Sequence, residues 1–88
     1  MNVTYRKTFL KDLAKIPSKT RTRIEYLVFN EIPESRSITD IHKFEKLKGY
    51  QPYYKIRIGS YRIGVKINDD HLIFCRVLHR RDIYRYFP

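Results

Sequence analysis

Apolar residues near the N-terminus first alternate and then recur at helical spacing. Residues 2–6 predict a short strand with Val3 and Tyr5 on one face. A helix is expected to follow, with Thr8 as its N-cap and Pro17 as the residue that ends it. Its apolar stripe consists of Phe9, Leu10, Leu13 and Ile16, with Lys7, Lys11 and Lys15 on the solvent side.

A second helix is predicted between the first two prolines. Ser18 is its expected N-cap, it runs to about Glu31, and Pro33 stops it. Its apolar stripe consists of Ile24, Leu27, Val28 and Ile32. Because the connection between the two helices is short, we expect a helical hairpin that covers one face of a sheet.

The periodicity becomes alternating in the second half of the chain. The pattern is looser from Pro33 to Pro52, with a helical turn predicted around residues 41–47. Residues 54–58 and 61–67 then alternate apolar with mostly basic side chains on either side of a Gly59-Ser60 turn, which predicts a β-hairpin. After a turn at residues 68–70, residues 71–78 are apolar at nearly every position, as is typical of an interior strand. Residues 80–87 predict one or two turns of helix.

These elements predict a single α+β domain over residues 1–88. Its order is β-α-α-β-β-β with a short C-terminal helix, and the helical hairpin packs on a mainly antiparallel sheet. A chain of 88 residues has room for one core, which excludes a second domain. The lone Cys75 excludes an intramolecular disulfide and is expected to be a small buried hydrophobe. Since no signal peptide or membrane-length apolar window occurs, we expect a cytoplasmic protein that does not bind membranes.

The net charge of the chain narrows the classes of partner that it can be expected to bind. Nineteen Lys and Arg residues against nine Asp and Glu residues give a formal net charge of +10. Such an excess is typical of proteins that bind a polyanion, such as nucleic acid, an acidic membrane or an acidic protein, although a generally basic soluble surface is the alternative. The C-terminal half carries more of the excess, +6 from residues 45–88 against +4 from residues 1–44. We therefore expect the binding face there.

The alternation of the predicted hairpin places its basic residues on one face. The apolar side chains of both strands must meet the helices, so the basic ones must meet each other on the opposite face. They are Lys55, Arg57, Arg62 and Lys66. Gly64 leaves a place without a side chain among them, where a ligand backbone could approach. Any half-exposed strand has a similar alternation, so these residues alone leave binding and a solvated surface as alternatives.

The C-terminal segment favours RNA as the ligand. Residues 79–87 add two tyrosines and three arginines beside the predicted sheet. Basic groups bind phosphate and aromatic rings stack on unpaired bases, a combination that suits single-stranded RNA. His79 is the histidine nearest to this predicted site, with a structural role as the alternative to a chemical one.

A cationic site of this kind could also cleave RNA. RNA carries its own nucleophile, the 2′-hydroxyl, so cleavage requires that this group be aligned and deprotonated, that the phosphorane be stabilised and that the departing 5′-oxygen be protonated. Lys55 is the well-placed lysine with cationic neighbours on both sides and is our candidate base, since arginine is effectively always protonated. The sequence has no Ser-His-acid arrangement, phosphate-binding glycine loop or metal-ligand spacing, so we expect neither a metal nor a cofactor.

Four segments in this order and spacing resemble the RelE/ParE superfamily of toxins from toxin-antitoxin systems. They are residues 44–49 (FEKLKG), 54–57 (YKIR), 60–63 (SYRI) and 77–85 (VLHRRDIYR). The resemblance to the RelE branch implies a ribosome-dependent endoribonuclease that cuts mRNA in the A site and inhibits translation. It also implies a RelB-like antitoxin that covers the basic surface, and contact with operator DNA only through the toxin-antitoxin complex.

The resemblance also implies roles for individual residues. Lys55 and Arg57 match the two basic strand residues, and Arg62 matches the arginine that stabilises the transition state. Arg80 matches the proposed acid, for which Arg81 is an alternative, and Tyr84 matches the tyrosine that stacks on or orients a base. Residues expected to bind the substrate are Lys46, Lys48, Lys66, Arg81 and Arg85.

One departure from the RelE pattern affects the proton acceptor. The position usually assigned as the general base is a lysine, and here it is Arg57. Either Lys55 takes over, or the ribosome supplies alignment, or activity is low. This departure keeps open a non-catalytic basic domain that binds RNA or a partner protein. A ParE-type inhibitor of DNA gyrase is a further alternative on the same fold, against which Arg62 and Tyr84 argue.

Overall fold

A computed structural model describes residues 1–36, 44–47, 49 and 52–88 of the chain. The elements in chain order are β1 (Asn2–Tyr5), α1 (Lys7–Ala14), α2 (Ser18–Tyr26), a π-helical turn (Leu27–Glu31), α3 (Ile32–Glu34), β2 (Phe44–Lys46), β3 (Tyr53–Ile58), β4 (Tyr61–Asn68), β5 (His71–His79) and α4 (Ile83–Tyr86). The predicted α+β class, the helices on a mainly antiparallel sheet and the short C-terminal helix are confirmed.

The strands form one five-stranded sheet in the order β1-β5-β4-β3-β2. β1 pairs in parallel with β5, and the other neighbouring strands are antiparallel. The predicted hairpin is β3-β4, in which Arg57 lies directly opposite Arg62 and Lys55 opposite Gly64. β5 has a neighbour on each side, as its apolar sequence predicts.

The predicted helical turn around residues 41–47 is wrong for the part that the structure describes. Residues 44–46 form β2, in which Phe44 lies opposite Ile56 and Glu45 opposite Lys55. Three residues are too few to show a period, and the open hydrogen bonds of β3 at the edge of the hairpin decide the conformation. Residues 41–43 lie outside the described residues.

The first helix differs from its predicted N-cap and stripe. Phe9, Leu13 and Ile16 are buried, but Leu10 is 43% exposed. The helix begins at Lys7 without a side-chain cap, and the Thr8 hydroxyl instead donates to the carbonyl of Cys75 in β5. The Thr8 hydroxyl therefore binds the sheet instead of capping the helix.

The second helix continues past the proline predicted to stop it. The π-helical turn precedes Pro33, and α3 then runs to Glu34 with this proline at its start. Proline lacks the N–H that an α-helix needs in its interior, but it is tolerated in a first turn and beside a widened π turn. Ser18 begins α2 but makes no side-chain cap.

Apolar residues cover both faces of the sheet. The larger buried cluster lies between the sheet and the helices, and it consists of Phe9, Leu13, Ile16, Ile24, Leu27, Val28, Ile32, Ile56, Ile58, Ile63, Val65, Leu72, Phe74 and Val77. A smaller cluster on the other face consists of Leu47, Cys75, Ile83 and Phe87. Burial raises the pKa of the Cys75 thiol, in agreement with its predicted role as a buried hydrophobe. Nowhere among the described residues does a helix reach the length and apolarity needed to cross a bilayer.

Side chains of α1 complete the part of β5 that β1 leaves uncovered. β1 pairs only with residues 71–74 of β5. Beyond them, the Asp12 carboxylate accepts a hydrogen bond from the Val77 N–H at 3.2 Å and from Arg76 Nε at 2.7 Å. Asp12 is buried, so this ion pair ties the helical layer to the sheet.

Candidate functional site

Helix α4 crosses the sheet face that carries the basic residues of the hairpin. Its start is anchored by Ile83, which is buried, and Phe87 is buried just beyond its end. Between these anchors, Tyr84 is 61% exposed. The helical spacing of the two apolar residues, four positions apart, thus turns both side chains towards the sheet and leaves the tyrosine ring exposed.

Lys55 and Tyr84 are in direct contact at the centre of this face. The Lys55 ammonium group donates a hydrogen bond to the Tyr84 hydroxyl, and its Nζ lies 4.8 Å from the centre of the tyrosine ring. Glu45 on β2 approaches the same ammonium group, with 3.8 Å between Oε2 and Nζ. The other carboxylate oxygen lies 3.7 Å from Nη2 of Arg57, so Glu45 bridges two of the predicted catalytic cations.

Two arginines face each other beside the turn of the β3-β4 hairpin, and the backbone of a third lies next to that turn. Arg57 and Arg62 face each other across the two strands, and the Arg57 side chain is 62% exposed. Nη1 of Arg62 donates to the carbonyls of Gly59 and Tyr61, both at 2.9 Å. The backbone N–H of Arg80 donates to the Ser60 carbonyl, so this arginine enters the same region. Like charges placed directly opposite each other repel, and a bound anion would relieve that repulsion.

An open cleft of about 490 Å³ lies beside the lysine and tyrosine. Its lining combines cations, a carboxylate and apolar surface: Glu45, Lys46, Leu47, Lys55, Tyr84, Phe87 and Pro88. Lys46 is exposed there. The cleft is thus the part of the basic face that offers a ligand both charge and aromatic surface.

Gly64 does not provide the predicted open place on this face. The Phe87 ring occupies it, and a Cβ added to Gly64 would lie 2.6 Å from the nearest ring atoms. The expectation that a ligand backbone approaches Gly64 is therefore wrong. The sequence could not show that the chain fills this place with its own C-terminal side chain.

The other residues predicted to bind the substrate do not take part in the contact between Lys55 and Tyr84 in the part of the chain that the structure describes. The Lys66 Nζ lies 6.0 Å from the Tyr53 ring centre, towards the other end of the strands. Arg85 is exposed on α4. Arg81 donates to His79 Nδ1 from its backbone N–H at 3.1 Å and from its Nε at 3.2 Å. Lys48 lies outside the described residues.

His79 lies on the other side of the sheet from Arg62. It is the cross-strand partner of Tyr61, and their rings meet edge to face at 5.6 Å. Because consecutive residues of a strand point to opposite faces, Tyr61 and Arg62 diverge, and His79 follows Tyr61. Its structural role is the hydrogen bonding of Arg81.

Two residues of the site were missed in the sequence. Glu45 was missed because residues 41–47 were predicted as helix, and only its strand pairing with Lys55 brings the carboxylate to the cations. Phe87 was assigned no part in the site, although an apolar residue that follows a basic segment is a signal for an anchor. Both line the same cleft as Lys55 and Tyr84.

The arrangement defines a class of protein: a small basic α+β domain whose sheet face presents clustered cations and an exposed tyrosine to an anionic ligand. Within the described residues, no group of three or more His, Cys, Asp or Glu side chains is arranged to hold a metal ion. The cations of the site can themselves stabilise negative charge.

Comparison with known proteins gives the family. A family profile described as ParE toxin of type II toxin-antitoxin system, parDE, matches residues 3–84. Toxin RelE3 of Methanocaldococcus jannaschii is 49% identical over 89 aligned positions, which cover all of both chains. The putative toxin RelE1 of the same organism is 35% identical, covering 92% of this chain and 90% of that protein. The chain belongs to the RelE/ParE superfamily and is a toxin of a type II toxin-antitoxin system.

A solved structure supports the same assignment. The toxin in the RelB-RelE antitoxin-toxin complex from Methanococcus jannaschii is 47% identical and superposes with a TM-score of 0.80. The match covers 97% of this chain and 99% of that one. The resemblance seen in the sequence, and the fold it implied, are thereby confirmed.

Proposed function

We propose that this toxin is a ribosome-dependent endoribonuclease that cleaves mRNA in the A site without a metal ion and so inhibits translation. The observation that carries the proposal is the contact of Lys55 with Tyr84 beside the facing pair Arg57 and Arg62. This arrangement offers a phosphate a cluster of cations and offers the adjacent base an exposed aromatic ring. The relatives named RelE support placing the chain in this branch of the superfamily.

Binding would use the arginines and the tyrosine for different parts of the nucleotide. Arg57 and Arg62 present guanidinium groups that match phosphate oxygens in geometry and charge. Tyr84 has its ring exposed for stacking on an unpaired base, worth about 1–3 kcal/mol by analogy with other stacking sites. Lys46, Lys66 and Arg85 would then contribute to the wider electrostatic attraction of the RNA backbone.

Cleavage would proceed by attack of the 2′-oxygen on the adjacent phosphorus. The 2′-hydroxyl gives up its proton to a basic group of the site, a P–O2′ bond forms and the P–O5′ bond breaks. The departing 5′-oxygen takes up a proton from water, which leaves a 2′,3′-cyclic phosphate and a 5′-hydroxyl. Arg62 and Arg57 would stabilise the additional negative charge of the phosphorane. Arg80 would lie near the departing 5′-oxygen, where its guanidinium offsets the developing charge.

Two groups at the site are candidates to accept the 2′-proton. Lys55 can do so only as a neutral amine, and its contact with the Tyr84 hydroxyl places it at the centre of the proposed site. Glu45 is a carboxylate in contact with Lys55, and carboxylates accept a proton without first losing one. Arg57 replaces the lysine expected at the usual base position and is too strongly basic to take part.

A RelB-like antitoxin is the proposed partner. RelB-RelE complexes are among the solved structures that match this fold, and one of them is the complex described above at 47% identity. An antitoxin that covers the basic face would hide Lys55, Tyr84 and the arginines together. Operator DNA would be reached only through this complex, and action on ribosomes and mRNA would require the free toxin to be in the cytoplasm.

The first experiment is a toeprint on translating ribosomes that carry a defined mRNA. Purified toxin is expected to create new 3′ ends within the A-site codon. Arg62→Ala and Tyr84→Ala are each expected to lower cleavage by about 100-fold, the usual size of a lost electrostatic or positioning group. Arg23→Ala and Tyr26→Ala are matched controls, since both residues are exposed on α2, and they should cleave normally. Intact mRNA at a toxin concentration equal to that of the ribosomes would contradict the proposal.

A second candidate function is inhibition of DNA gyrase. The observation in its favour is that the matching family profile is that of ParE toxins. Supercoiling by purified gyrase in the presence of the toxin tests it directly, with the same Arg62→Ala variant as a comparison. Unimpaired supercoiling together with intact mRNA would leave a non-catalytic basic domain.

A further inference from the structure

Position 64 requires a glycine for a steric reason. A Cβ on this residue would lie 2.6 Å from Cγ and Cδ2 of the Phe87 ring and 2.8 Å from Cδ1. Its backbone does not have a positive φ, unlike that of Gly49 and Gly59, so the conformation alone would permit a side chain. What requires glycine here is the aromatic ring that rests on the strand.

Phe87 is held firmly in this position. Its side chain is 5% exposed, and its ring meets that of Tyr53 edge to face at 5.5 Å and 90°. Its N–H donates to the Ile83 carbonyl at 2.9 Å, which closes the last turn of α4. Because α4 has only four residues, it has no stability of its own, and its position depends on Ile83 and Phe87.

The ring lies beside the residues proposed to act on RNA. Gly64 is the cross-strand partner of Lys55, so a ring on Gly64 is next to the Lys55 side chain. Phe87 lines the same cleft as Lys55 and Tyr84. Tyr84 itself is mostly exposed, so burial does little to hold its side chain in place.

We infer that Phe87 is a positioning residue for the nuclease site: seated on Gly64, its ring fixes α4 so that Tyr84 meets Lys55, and it closes this part of the strand to the substrate. The inference rests on the proposed ribonuclease function for its effect on cleavage. The placement of Tyr84 can be measured without any cleavage assay.

The test uses a size exchange between the two contacting residues. Gly64→Ala pushes the ring away, Phe87→Leu removes part of it, and the double variant Gly64→Ala/Phe87→Leu makes room for the added methyl group. Phe44→Leu is the matched control, since this half-buried ring packs on the helical side of the sheet. The larger core cluster is untouched by the first three variants and should keep them folded.

The structural readout is ¹⁹F NMR of toxin labelled with 3-fluorotyrosine, with the Tyr84 signal identified from Tyr84→Phe. Gly64→Ala and Phe87→Leu are each expected to move this signal, because the Tyr84 hydroxyl loses its contact with Lys55, and Phe44→Leu should leave it in place. In the toeprint assay, Gly64→Ala is expected to lower cleavage by about tenfold in the wild-type background, a coupling typical of residues in contact. In the Phe87→Leu background, Gly64→Ala should lower cleavage by less than about twofold.

The outcomes separate this inference from the proposed function. If wild-type toxin leaves mRNA intact, the proposed function fails, and the position of the Tyr84 signal still decides whether Phe87 places the tyrosine. An unmoved Tyr84 signal in both Gly64→Ala and Phe87→Leu would overturn the inference. So would independent effects of the two substitutions on that signal and on cleavage.

Discussion

At the scale of single residues, the site combines what the sequence predicts with what only the fold reveals. The alternation of β3 and β4 was enough to predict that Lys55, Arg57 and Arg62 share a face, because strand periodicity is strict. The contact of Lys55 with Tyr84 depends instead on where α4 lies, which a segment of four helical residues does not encode locally. Contacts within a strand pair were therefore predictable, and contacts between distant segments were not.

Glu45 is the residue whose chemistry distinguishes the two candidate proton acceptors. We expect Glu45→Gln to lower the rate of mRNA cleavage by about 100-fold, because an amide cannot accept a proton. RNA binding should be unchanged or tighter, since the substitution removes a negative charge between Lys55 and Arg57. Single-turnover cleavage and binding measured on the same variant would separate the two effects.

The matched comparison for this prediction is Glu25→Gln. Glu25 also pairs with an arginine, Arg21, at 3.9 Å, but it lies on α2. The Glu25→Gln variant should therefore cleave mRNA at the wild-type rate. Cleavage by Glu45→Gln within about threefold of wild type would instead assign the proton to Lys55.

At the scale of elements, periodic segments were predicted well and short ones were not. The two helices and the β3-β4 hairpin follow from regular spacing over many residues, so several side chains support each assignment. β2 has three residues and owes its conformation to the edge of β3. The end of the second helix was predicted too early, before Pro33. The rule that proline stops a helix takes no account of a π-helical turn just before the proline.

A buried carboxylate, that of Asp12, contributes two of the polar links between α1 and β5. Asp12→Ala would leave the Val77 N–H and the Arg76 guanidinium without their acceptor. The Asp12 hydrogen bond is also the main cause of the raised pKa of Arg76, with burial acting in the opposite direction. We expect the free energy of unfolding to fall by about 2–3 kcal/mol, less than for a fully buried pair because Arg76 is partly exposed.

Urea denaturation of Asp12→Ala and Glu25→Ala provides the measurement. Both variants lose one negative charge from the helical layer, so the overall charge changes equally. Glu25→Ala removes only the surface pair with Arg21 and should cost less than about 0.5 kcal/mol. Equal losses in the two variants would mean that the net charge, and not the link to β5, determines the effect.

At the scale of the whole molecule, the net charge of +10 has opposite consequences for stability and for binding. The positive charges repel one another in the folded state, and added salt screens that repulsion. The same salt weakens attraction to an anionic ligand. Salt should therefore stabilise the free toxin while it releases RNA.

The stability of the free toxin and its binding to RNA can each be measured from about 50 to about 300 mM salt. We expect the melting temperature of the free toxin to rise by about 4–8 °C, equivalent to about 1 kcal/mol for a domain of this size. If Lys55, Arg57 and Arg62 contact phosphates of a short single-stranded RNA, the logarithm of the binding constant should fall with the logarithm of salt concentration with a slope of about −2. Arg62→Ala should reduce that slope by about 0.7, and Arg23→Ala should leave it unchanged. A slope that Arg62→Ala does not alter would place the RNA elsewhere on the molecule, because counterion release depends only on the charges that meet phosphate.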